Sequence, residues 1–160
     1  MDAVQPNSKR RNEMSDYEIA KRAADLLEAR DLKGFQALLA DDFRAKGGTL
    51  ELNKQQALGY FQMFFTAFPD HRFGFANFEV GEMDGWISCT AQETGTHKGV
   101  LDLHPFGKPI SLPPTGRSFK LPQCVFTFRV AGDKVTYISE STGEGGGLAG
   151  ILEQLEVKLS

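Results

Sequence analysis

Two short stretches of this sequence decide its fold: Thr94–Gly99, which reads TGTHKG, and Pro113–Arg117, which reads PPTGR. Each combines glycine, threonine or proline with a charged or titratable side chain, a composition typical of the turns that end β-strands. The first closes a run in which apolar and polar residues alternate, and the second closes a proline-rich interval. We therefore expect two strand-ending turns in a part of the chain that is rich in strands.

The composition fits one globular domain. The chain has 160 residues, of which 41% are hydrophobic and 24% charged, and a domain of this length buries about two thirds of its unfolded surface. Phe dominates the aromatic residues, with 13 copies against one Trp and three Tyr, so we expect a phenyl-rich interior that suits an aromatic-lined cavity. The net charge of −3 and the lack of a basic stripe argue against nucleic acid as a partner.

Neither the cysteines nor the N-terminus indicates export, zinc or a membrane. Cys89 and Cys124 lie in predicted strands, outside any zinc-binding spacing, so we predict two buried thiols. No run approaches the ~20 apolar residues of a membrane helix, and no apolar stretch follows the basic residues 9–11 as in a secretory signal. We therefore expect a cytoplasmic protein without a membrane partner. Residues 1–14 lack periodicity and are predicted to be a disordered tail, which leaves 15–160 as a single domain.

Two helices are predicted at the start of that domain. Ser15 stands three residues before Glu18, the spacing of a capping box, and apolar residues then recur at helical spacing. Asp31 is expected to cap a second helix, whose apolar residues at three-to-four spacing continue to Leu39 and Phe43. Together these segments predict a helical hairpin.

A third helix is predicted between Asn53, which can cap it, and Pro69, which ends it. One face carries a stripe of phenylalanines that includes Phe61 and Phe64. We interpret the stripe first as core and second as the lining of a ligand pocket. Phe61 and Phe64 are its candidate ligand contacts.

The pattern changes from helical to alternating after Pro69. Four runs are predicted to be strands, at residues 71–80, 86–96, 121–130 and 135–142. Asp84-Gly85 and Gly132-Asp133 are expected to form tight hairpin turns, and the proline-rich interval before Leu121 a loop over the rim. A short amphipathic helix at Leu148–Leu155 ends the domain. Segregated helices and an antiparallel meander define an α+β fold.

Six short motifs resemble, in their order along the chain, those of the SnoaL-like polyketide cyclases (ester cyclases) of the NTF2-like superfamily. They are Asp41-Asp42-Phe43, Phe68-Pro69-Asp70, the turns at 95–99 and 113–117, Gly132–Val135 and Leu152–Leu155. The resemblance covers nearly the whole folded part. It implies an NTF2-like, cystatin-like cone, in which N-terminal helices packed on a curved antiparallel sheet enclose an apolar pocket. It also implies a homodimer and a hydrophobic small-molecule ligand.

In cyclases of this family the acid–base residue is an Asp on the last strand, four residues after a Trp. The corresponding segment, Ser139–Glu144, has neither residue at those positions. Glu140 and Glu144 are the candidate substitutes, because a carboxyl group desolvated in an apolar pocket has its pKa raised towards neutrality. We favour a solvated strand end for Glu144 and keep Glu140 as a catalytic candidate.

The alternation of side-chain directions along the second predicted strand indicates two further candidate catalytic residues. Glu93 and His97 share a face with Ile87, Cys89 and Ala91, so we expect both to emerge at one end of it, at the pocket mouth. His97 titrates near neutral pH, and a neighbouring carboxylate such as Glu93 would orient it. Their spacing along an extended strand, roughly 13 Å, requires a bulge, a water molecule or the ligand between them. The alternative is a turn histidine that bonds a backbone carbonyl.

Other polar residues are candidate ligand contacts. Asp70 stands beside His71 as a second carboxylate–imidazole pair, for which a corner between helix and strand is the favoured interpretation. Arg117 could hold an anion, with a structural bond as the favoured alternative, and Gln123 and Tyr137 on adjacent predicted strands could orient a ligand. No His and carboxylate spacing indicates a metal ion, so we predict none.

Two classes of function follow. The first is an enzyme of cyclase, isomerase or hydratase type, which performs cofactor-free acid–base chemistry on a hydrophobic carbonyl or polyketide-like compound. The second is a non-catalytic module that binds a hydrophobic ligand or assembles as a dimer. Trp86 is a candidate ligand contact, and with Ser88, Thr90 and Gln92 it also marks an outer sheet face that is expected to pair in a homodimer.

Overall fold

The structure, a computed structural model, describes residues 14–157. The predicted disordered tail, apart from Met14, lies outside the described residues. The helices are α1 (Asp16–Glu28), α2 (Leu32–Ala37), α3 (Lys54–Ala67) and α4 (Gly147–Gln154). The strands are β1 (Leu39–Gly47), β2 (Leu50–Asn53), β3 (Ala76–Val80), β4 (Trp86–Ala91), β5 (Thr94–Thr96), β6 (Leu101–Asp102), β7 (Ser111–Leu112), β8 (Ser118–Lys120), β9 (Cys124–Ala131) and β10 (Lys134–Ser141). A 3-10 turn covers His104–Phe106.

The first three helices begin at the predicted caps. Ser15 and Glu18 form a reciprocal capping box, in which the Glu18 amide donates to Ser15 Oγ over 3.1 Å. Asp31 accepts from the Gly34 amide over 2.9 Å, and Asn53 accepts from the Gln56 amide over the same distance. Each cap satisfies an amide that the first helical turn would otherwise leave without a partner.

The second helix is much shorter than predicted. It ends at Ala37, and Leu39 and Phe43 are buried on strand β1 instead. Residues four apart share one face of a helix and also one face of a strand, so their spacing fits both periods. The prediction of a helical hairpin that reached Phe43 was therefore wrong. Beyond Ala37 the chain forms strand β1 instead of a longer second helix.

The main sheet has six strands in the order β2-β1-β10-β9-β4-β3. Its neighbours are antiparallel except β1 and β10, which run parallel, so the sheet is mixed rather than the antiparallel meander that the alternation predicted. The turn at Gly132-Asp133 was predicted correctly: φ is 58° and 65° at its two residues, the left-handed geometry of a tight hairpin. The result is an α+β fold in which helices cover one face of a curved mixed sheet.

Three of the four predicted strands differ from the structure. The run 71–80 is a strand only from Ala76, and the run 121–130 begins only at Cys124. The run 86–96 divides into β4 and β5, with Gln92 and Glu93 between them. Strand β5 pairs with β8 in a separate two-stranded sheet. Glu93 nevertheless stays buried, like Cys89 and Ala91 before it, and the candidate site depends on this side chain.

The core lies between α1, α3 and the inner face of the sheet. On β4 and β9 buried and partly exposed residues alternate, and Ile87, Cys89, Phe126 and Phe128 point inward. On the outer face Trp86 packs edge-on against Tyr137 at 6.1 Å between ring centroids. Within the described residues, no helix combines the length and the apolar character needed to cross a membrane.

Candidate functional site

A cavity of about 520 Å³ opens between α3, the inner face of the sheet and the Gly143–Gly147 loop. This volume lies in the range of small-molecule sites in proteins. Its walls are mainly aromatic and aliphatic and include Phe61 and Phe64, as predicted, together with Phe73 and Phe126. Such a cavity buries an apolar ligand of drug-like size. Any polar group on its walls therefore acts in a poorly solvated environment.

Two neighbouring carboxyl groups interrupt the apolar wall, and Lys46, Lys108 and Glu144 also line the cavity. Glu93 lies between β4 and β5 and Glu140 lies near the end of β10, and both line the cavity. Their carboxylate oxygens and the Cys124 sulfur all lie within 4.8 Å of one another. Glu140 stands opposite Gly47 on the parallel strand β1, and a Cβ atom at Gly47 would lie 3.4 Å from Glu140 Oε1. The absent side chain at Gly47 leaves space for the Glu140 carboxyl group.

His71 contacts Glu93 from beneath the wall. Its Nε2 atom lies 2.8 Å from Glu93 Oε1, and neither side chain has more than 7% of its surface exposed. The imidazole packs edge-on against Phe64 at 4.8 Å and Phe73 at 4.4 Å between ring centroids. Among residues 14–157 nothing hydrogen-bonds to its Nδ1 atom. Glu93 is therefore the polar partner that the structure provides for this imidazole.

The end of α1 holds the segment that carries His71. The guanidinium of Arg30 donates to the His71 carbonyl oxygen over 2.5 Å. The Glu28 carboxylate accepts from the amides of Phe73 and Gly74 over 2.8 and 3.0 Å. Charge-assisted bonds of this kind are stronger than neutral ones. They fix the backbone on both sides of the imidazole, so the His71–Glu93 contact is built into the fold.

Burial governs the protonation of the cluster. It raises the pKa of Glu140 to about 9, and the neighbouring charge of Glu93 adds to this effect. It also raises the pKa of Glu93 and lowers the pKa of His71 to about 4. Two carboxylates this close in an apolar wall cannot both be ionised. At neutral pH we therefore expect a neutral imidazole and at most one negative charge on the two carboxyl groups.

One arrangement of protons satisfies the hydrogen-bonding requirements of His71 and Glu93. If His71 carries its proton on Nε2, it donates to the Glu93 carboxylate and leaves Nδ1 as a bare lone pair, which needs no acceptor. Glu140 then holds the remaining proton as a neutral acid. The cavity wall would thus present a hydrogen-bond acceptor and base at Glu93 beside a hydrogen-bond donor and acid at Glu140.

His97, the predicted partner of Glu93, lies elsewhere. It is fully buried between the turns at 94–99 and 113–117 and does not line the cavity. Its Nδ1 accepts from the Thr115 amide over 3.2 Å, and its own amide donates to the Arg117 carbonyl over 2.9 Å. Of the two residues expected at the pocket mouth, Glu93 lines the cavity and His97 does not. The alternation of burial continues from Ala91 through Glu93 to His97, but β5 leaves the main sheet and pairs with β8, so His97 is buried away from the cavity.

The other candidate ligand contacts are also outside the cavity. Asp70 accepts from the Thr96 amide over 2.7 Å, and Arg117 forms an ion pair with Glu156. Gln123 is exposed, and Trp86 and Tyr137 pack together on the outer face of the sheet. None of these five residues lines the cavity, and Glu144 reaches only its exposed edge.

Two side chains at the site were not singled out from the sequence for it. Tyr60 lines the cavity, and Cys124 Sγ donates to Glu140 Oε2 over 3.8 Å. Tyr60 precedes Phe64 and Phe68 by one and two helical turns, so a polar-tipped ring at the start of the phenylalanine stripe was an available signal. Glu93, Cys124 and Glu140 together also carry atom types that can bind a metal ion. Burial raises the pKa of the Cys124 thiol to about 12, so protons compete with a cation for this cluster.

A curved sheet whose helix-covered face encloses one apolar cavity defines the NTF2-like class of folds. The family model of the SnoaL-like polyketide cyclases matches residues 17–140, and the chain therefore belongs to that family. A search of curated proteins finds no match.

Solved structures share the fold at low sequence identity. A candidate SnoaL-like polyketide cyclase from Jannaschia sp. CCS1 is 20% identical, with a TM-score of 0.66 over 90% of this chain and 93% of that one. AclR, a candidate hydroxylase from Streptomyces galilaeus, is 17% identical, with a TM-score of 0.66 over 86% and 92%. IdmH, a candidate polyketide cyclase from Streptomyces antibioticus, is 18% identical, with a TM-score of 0.64 over 90% and 100%. Identities this low establish a common architecture and no common reaction.

Proposed function

We propose that this protein is a SnoaL-like enzyme that performs cofactor-free acid–base chemistry on a hydrophobic carbonyl or polyketide-like compound, as a cyclase, isomerase or hydratase. The observation that carries the proposal is that Glu93 and Glu140 lie side by side in the wall of an apolar cavity, with His71 bonded to Glu93 from behind the wall. Structural carboxylates are seldom placed in such a wall, because desolvation is costly. A base and an acid side by side are what proton transfer next to a carbonyl requires.

The proposed reaction begins with the substrate carbonyl oxygen facing Glu140. The Glu140 carboxyl group donates a hydrogen bond to that oxygen, and the Glu93 carboxylate removes a proton from the adjacent carbon. The electron pair of the broken C–H bond forms a carbon–carbon double bond, and the carbonyl electrons move to the oxygen as an enolate. In a conjugated enolate, return of the proton from Glu93 to the γ-carbon gives an isomer. Attack of the enolate carbon on a second carbonyl instead closes a ring, and the alkoxide that forms takes the proton back from Glu93. His71 keeps Glu93 oriented throughout.

A simple proton-exchange experiment tests this proposal without the natural substrate. A panel of aryl ketones and 1,3-diketones in D₂O would be followed by NMR for loss of the α-hydrogen signal. We expect catalysed exchange with at least one of these probes, and a fall of about 100-fold or more in Glu93→Gln and Glu140→Gln. Glu153→Gln, an exposed carboxyl on α4, is the matched control. Exchange that survives in both cavity variants would refute the proposal.

A non-catalytic binding module is the alternative, and the missing Trp and Asp on the last strand favour it. A hydrophobic dye that binds the cavity in the wild type and in both glutamine variants, with no exchange in any of them, would establish this alternative. We also propose the cytoplasm as the working compartment, where two free buried cysteines are stable as thiols.

We further propose a homodimer through the outer face of the sheet. Trp86 and Tyr137 form an aromatic pair there, the Arg129 guanidinium lies 5.7 Å from the Trp86 ring centroid, and Val125 is 41% exposed. Aromatic and arginine side chains are enriched in protein interfaces. Light scattering should give the mass of two chains at micromolar concentration, and Trp86→Lys should reduce it to one. A wild-type mass of one chain would contradict the dimer.

A further inference from the structure

Lys108 lies at the edge of the cavity without an acidic partner. Lys108 and Thr49 both line the cavity; Lys108 is half-buried and Thr49 is exposed. The Lys108 Nζ atom donates to Thr49 Oγ1 over 2.9 Å. Among residues 14–157 no carboxylate oxygen lies within 4.0 Å of this amine. A positive charge that the chain does not neutralise therefore lies where a ligand would enter.

The contact between these two side chains leaves donors for a ligand. An ammonium group has three N–H donors, and Thr49 accepts from one of them. The threonine hydroxyl accepts this bond with its oxygen and still has its own proton to donate. One positive charge and one hydroxyl group match a carboxylate, which has a single negative charge and two acceptor oxygens. A phosphate dianion would leave one negative charge unbalanced.

The backbone around Lys108 holds the amine in this position. The chain turns at Gly107, where φ is 85°, and the Lys108 amide donates to the Leu103 carbonyl oxygen over 3.2 Å. Phe106 anchors the same loop on α3, because its ring packs edge-on against Tyr60 at 5.3 Å between ring centroids. The lysine is thus presented to the cavity by a loop that is itself packed against the cavity wall.

The two other charged residues at the edge do not supply a second cation. Lys46 pairs with Ser139 on β10, and the next residue of β10, Glu140, points into the cavity. Because successive residues of a strand point to opposite faces, the Lys46 side chain is directed to the outer face of the sheet. Glu144 is exposed and acidic. Within the described part of the chain, Lys108 is therefore the cation that the cavity offers to a ligand.

We propose that Lys108 and Thr49 bind a carboxylate of the substrate at the cavity mouth, so that the substrate is a hydrophobic keto acid. This inference rests on the proposed function and narrows its substrate class. The carboxylate stays at the edge, where water still solvates part of it, and the apolar part of the molecule fills the aromatic interior. The ketone carbonyl then faces Glu93 and Glu140. Lys108 balances the charge of the carboxylate, so the substrate brings no net charge to the Glu93 carboxylate.

Keto acids of increasing length and their methyl esters test the inference. The probes are 3-benzoylpropanoate, 4-benzoylbutanoate and 5-benzoylpentanoate, each an enolisable aryl ketone with a carboxylate at its far end. Each methyl ester has the same skeleton and no charge. By calorimetry at neutral pH we expect the wild type to bind at least one acid about 10-fold more tightly than its ester. Added sodium chloride should reduce this preference, because salt screens the attraction between exposed charges.

Three variants test whether this preference comes from Lys108 and Thr49. Lys108→Met keeps the length of the side chain and removes its charge, so it should bind the acid and the ester equally. Lys108→Arg should retain most of the preference, and Thr49→Val should lose part of it. The matched control is Lys33→Met, an exposed lysine on α2 outside the cavity lining. In ketone exchange, Lys108→Met should raise KM for the acid about 10-fold and change kcat less than about 3-fold, because Lys108 does not contact the reacting carbon.

The possible outcomes distinguish the carboxylate site from the proposed reaction. Equal affinity of the wild type for acids and esters overturns the carboxylate site, and catalysed ketone exchange would leave the proposed function standing. A preference for acids that survives in Lys108→Met also overturns it. A preference that Lys108→Met abolishes, without exchange on any ketone, supports the carboxylate site and the non-catalytic alternative. Should Lys108→Met not fold, a wild-type preference that salt abolishes supports the site, and equal affinities still overturn it.

Discussion

Two buried histidines of this protein have opposite surroundings. His71 lies 2.8 Å from a carboxylate oxygen on a cavity wall, whereas His97 is enclosed between two turns and bonded to Thr115 and to backbone. Phe64 and Phe68 link them, with ring centroids 4.8 Å from His71 to Phe64 and 5.4 Å from Phe68 to His97. Burial lowers the pKa of both imidazoles. A buried histidine with a shifted pKa is therefore no sign of catalysis by itself. The difference lies in the partner, because the partner of His71 is a carboxyl group that lines the cavity.

Replacing each histidine with alanine is the strongest test of the difference between His71 and His97. We expect His71→Ala to lower the ketone exchange rate about 100-fold, because Glu93 loses the group that orients it. We expect His97→Ala to lower the free energy of unfolding by about 2 kcal/mol, because it loses hydrogen bonds that join two turns. Its activity per folded molecule should be unchanged. Thermal denaturation and exchange measured on the same samples separate the two effects. An inactive His97→Ala with wild-type stability would reverse the assignment.

The pH dependence of stability distinguishes the cluster around His71 from the rest of the molecule. The folded-state pKa of His71 lies below its unfolded value, so its contribution to stability is complete above about pH 6.5 and is lost as the pH falls towards about 4. The folded-state pKa of Glu140 is raised to about 9, so its contribution is complete below about pH 4.5 and is lost as the pH rises.

Glu140→Gln should remove the alkaline part of this dependence, because an amide resembles the neutral acid and cannot ionise. Relative to the wild type, we expect the variant to gain more than about 1 kcal/mol in free energy of unfolding between about pH 5 and pH 8. Urea denaturation at several pH values measures this difference. A difference independent of pH would show that Glu140 is an ordinary solvated carboxylate.

Gly47→Ala perturbs the carboxyl group at the cavity while leaving the His97 region untouched. The added methyl group would lie 3.4 Å from Glu140 Oε1, in van der Waals contact with that carboxyl group, and would restrict its movement. We expect about a 3-fold lower exchange rate from this restriction of the acid. In the Glu140→Gln background the same substitution should have almost no further effect on the rate. Equal fold-changes in both backgrounds would mean that Gly47 acts through another group.

A chelator should have the smallest effect of all. The proposed function near His71 is proton transfer without a metal ion. We therefore expect prolonged dialysis against EDTA to leave the rate of ketone exchange within about two-fold of its starting value. Elemental analysis of the purified protein accompanies the assay. Activity that is lost on dialysis and restored by zinc or another divalent ion would instead assign Glu93, Cys124 and Glu140 to a metal centre.

Much of the fold was predictable because it depends on residues close together in the sequence. The site was less predictable because it depends on contacts between residues far apart in the sequence. The caps at Ser15, Asp31 and Asn53 depend on residues three apart, and the structure has all of them. The family was identified because turn motifs survive in order along the chain. The partner of Glu93 was missed because β4 ends at Ala91 and β5 joins a second sheet, so His97 lies away from the cavity although its burial continues the alternation. His71 and Glu93 meet only in three dimensions, and no spacing along the sequence indicates their contact.

The parallel pairing of β1 with β10 has a consequence for how the protein is made. Gly47 and Glu140 are paired although about 90 residues separate them, and loop closure over such distances slows folding. A ribosome releases the first strand long before the last one exists. The cavity can therefore acquire its acid only after β10 has been synthesised. Until then the Phe-rich inner face of the growing sheet lacks its final neighbour, so the nascent chain should depend on chaperones more than a helical protein of equal length.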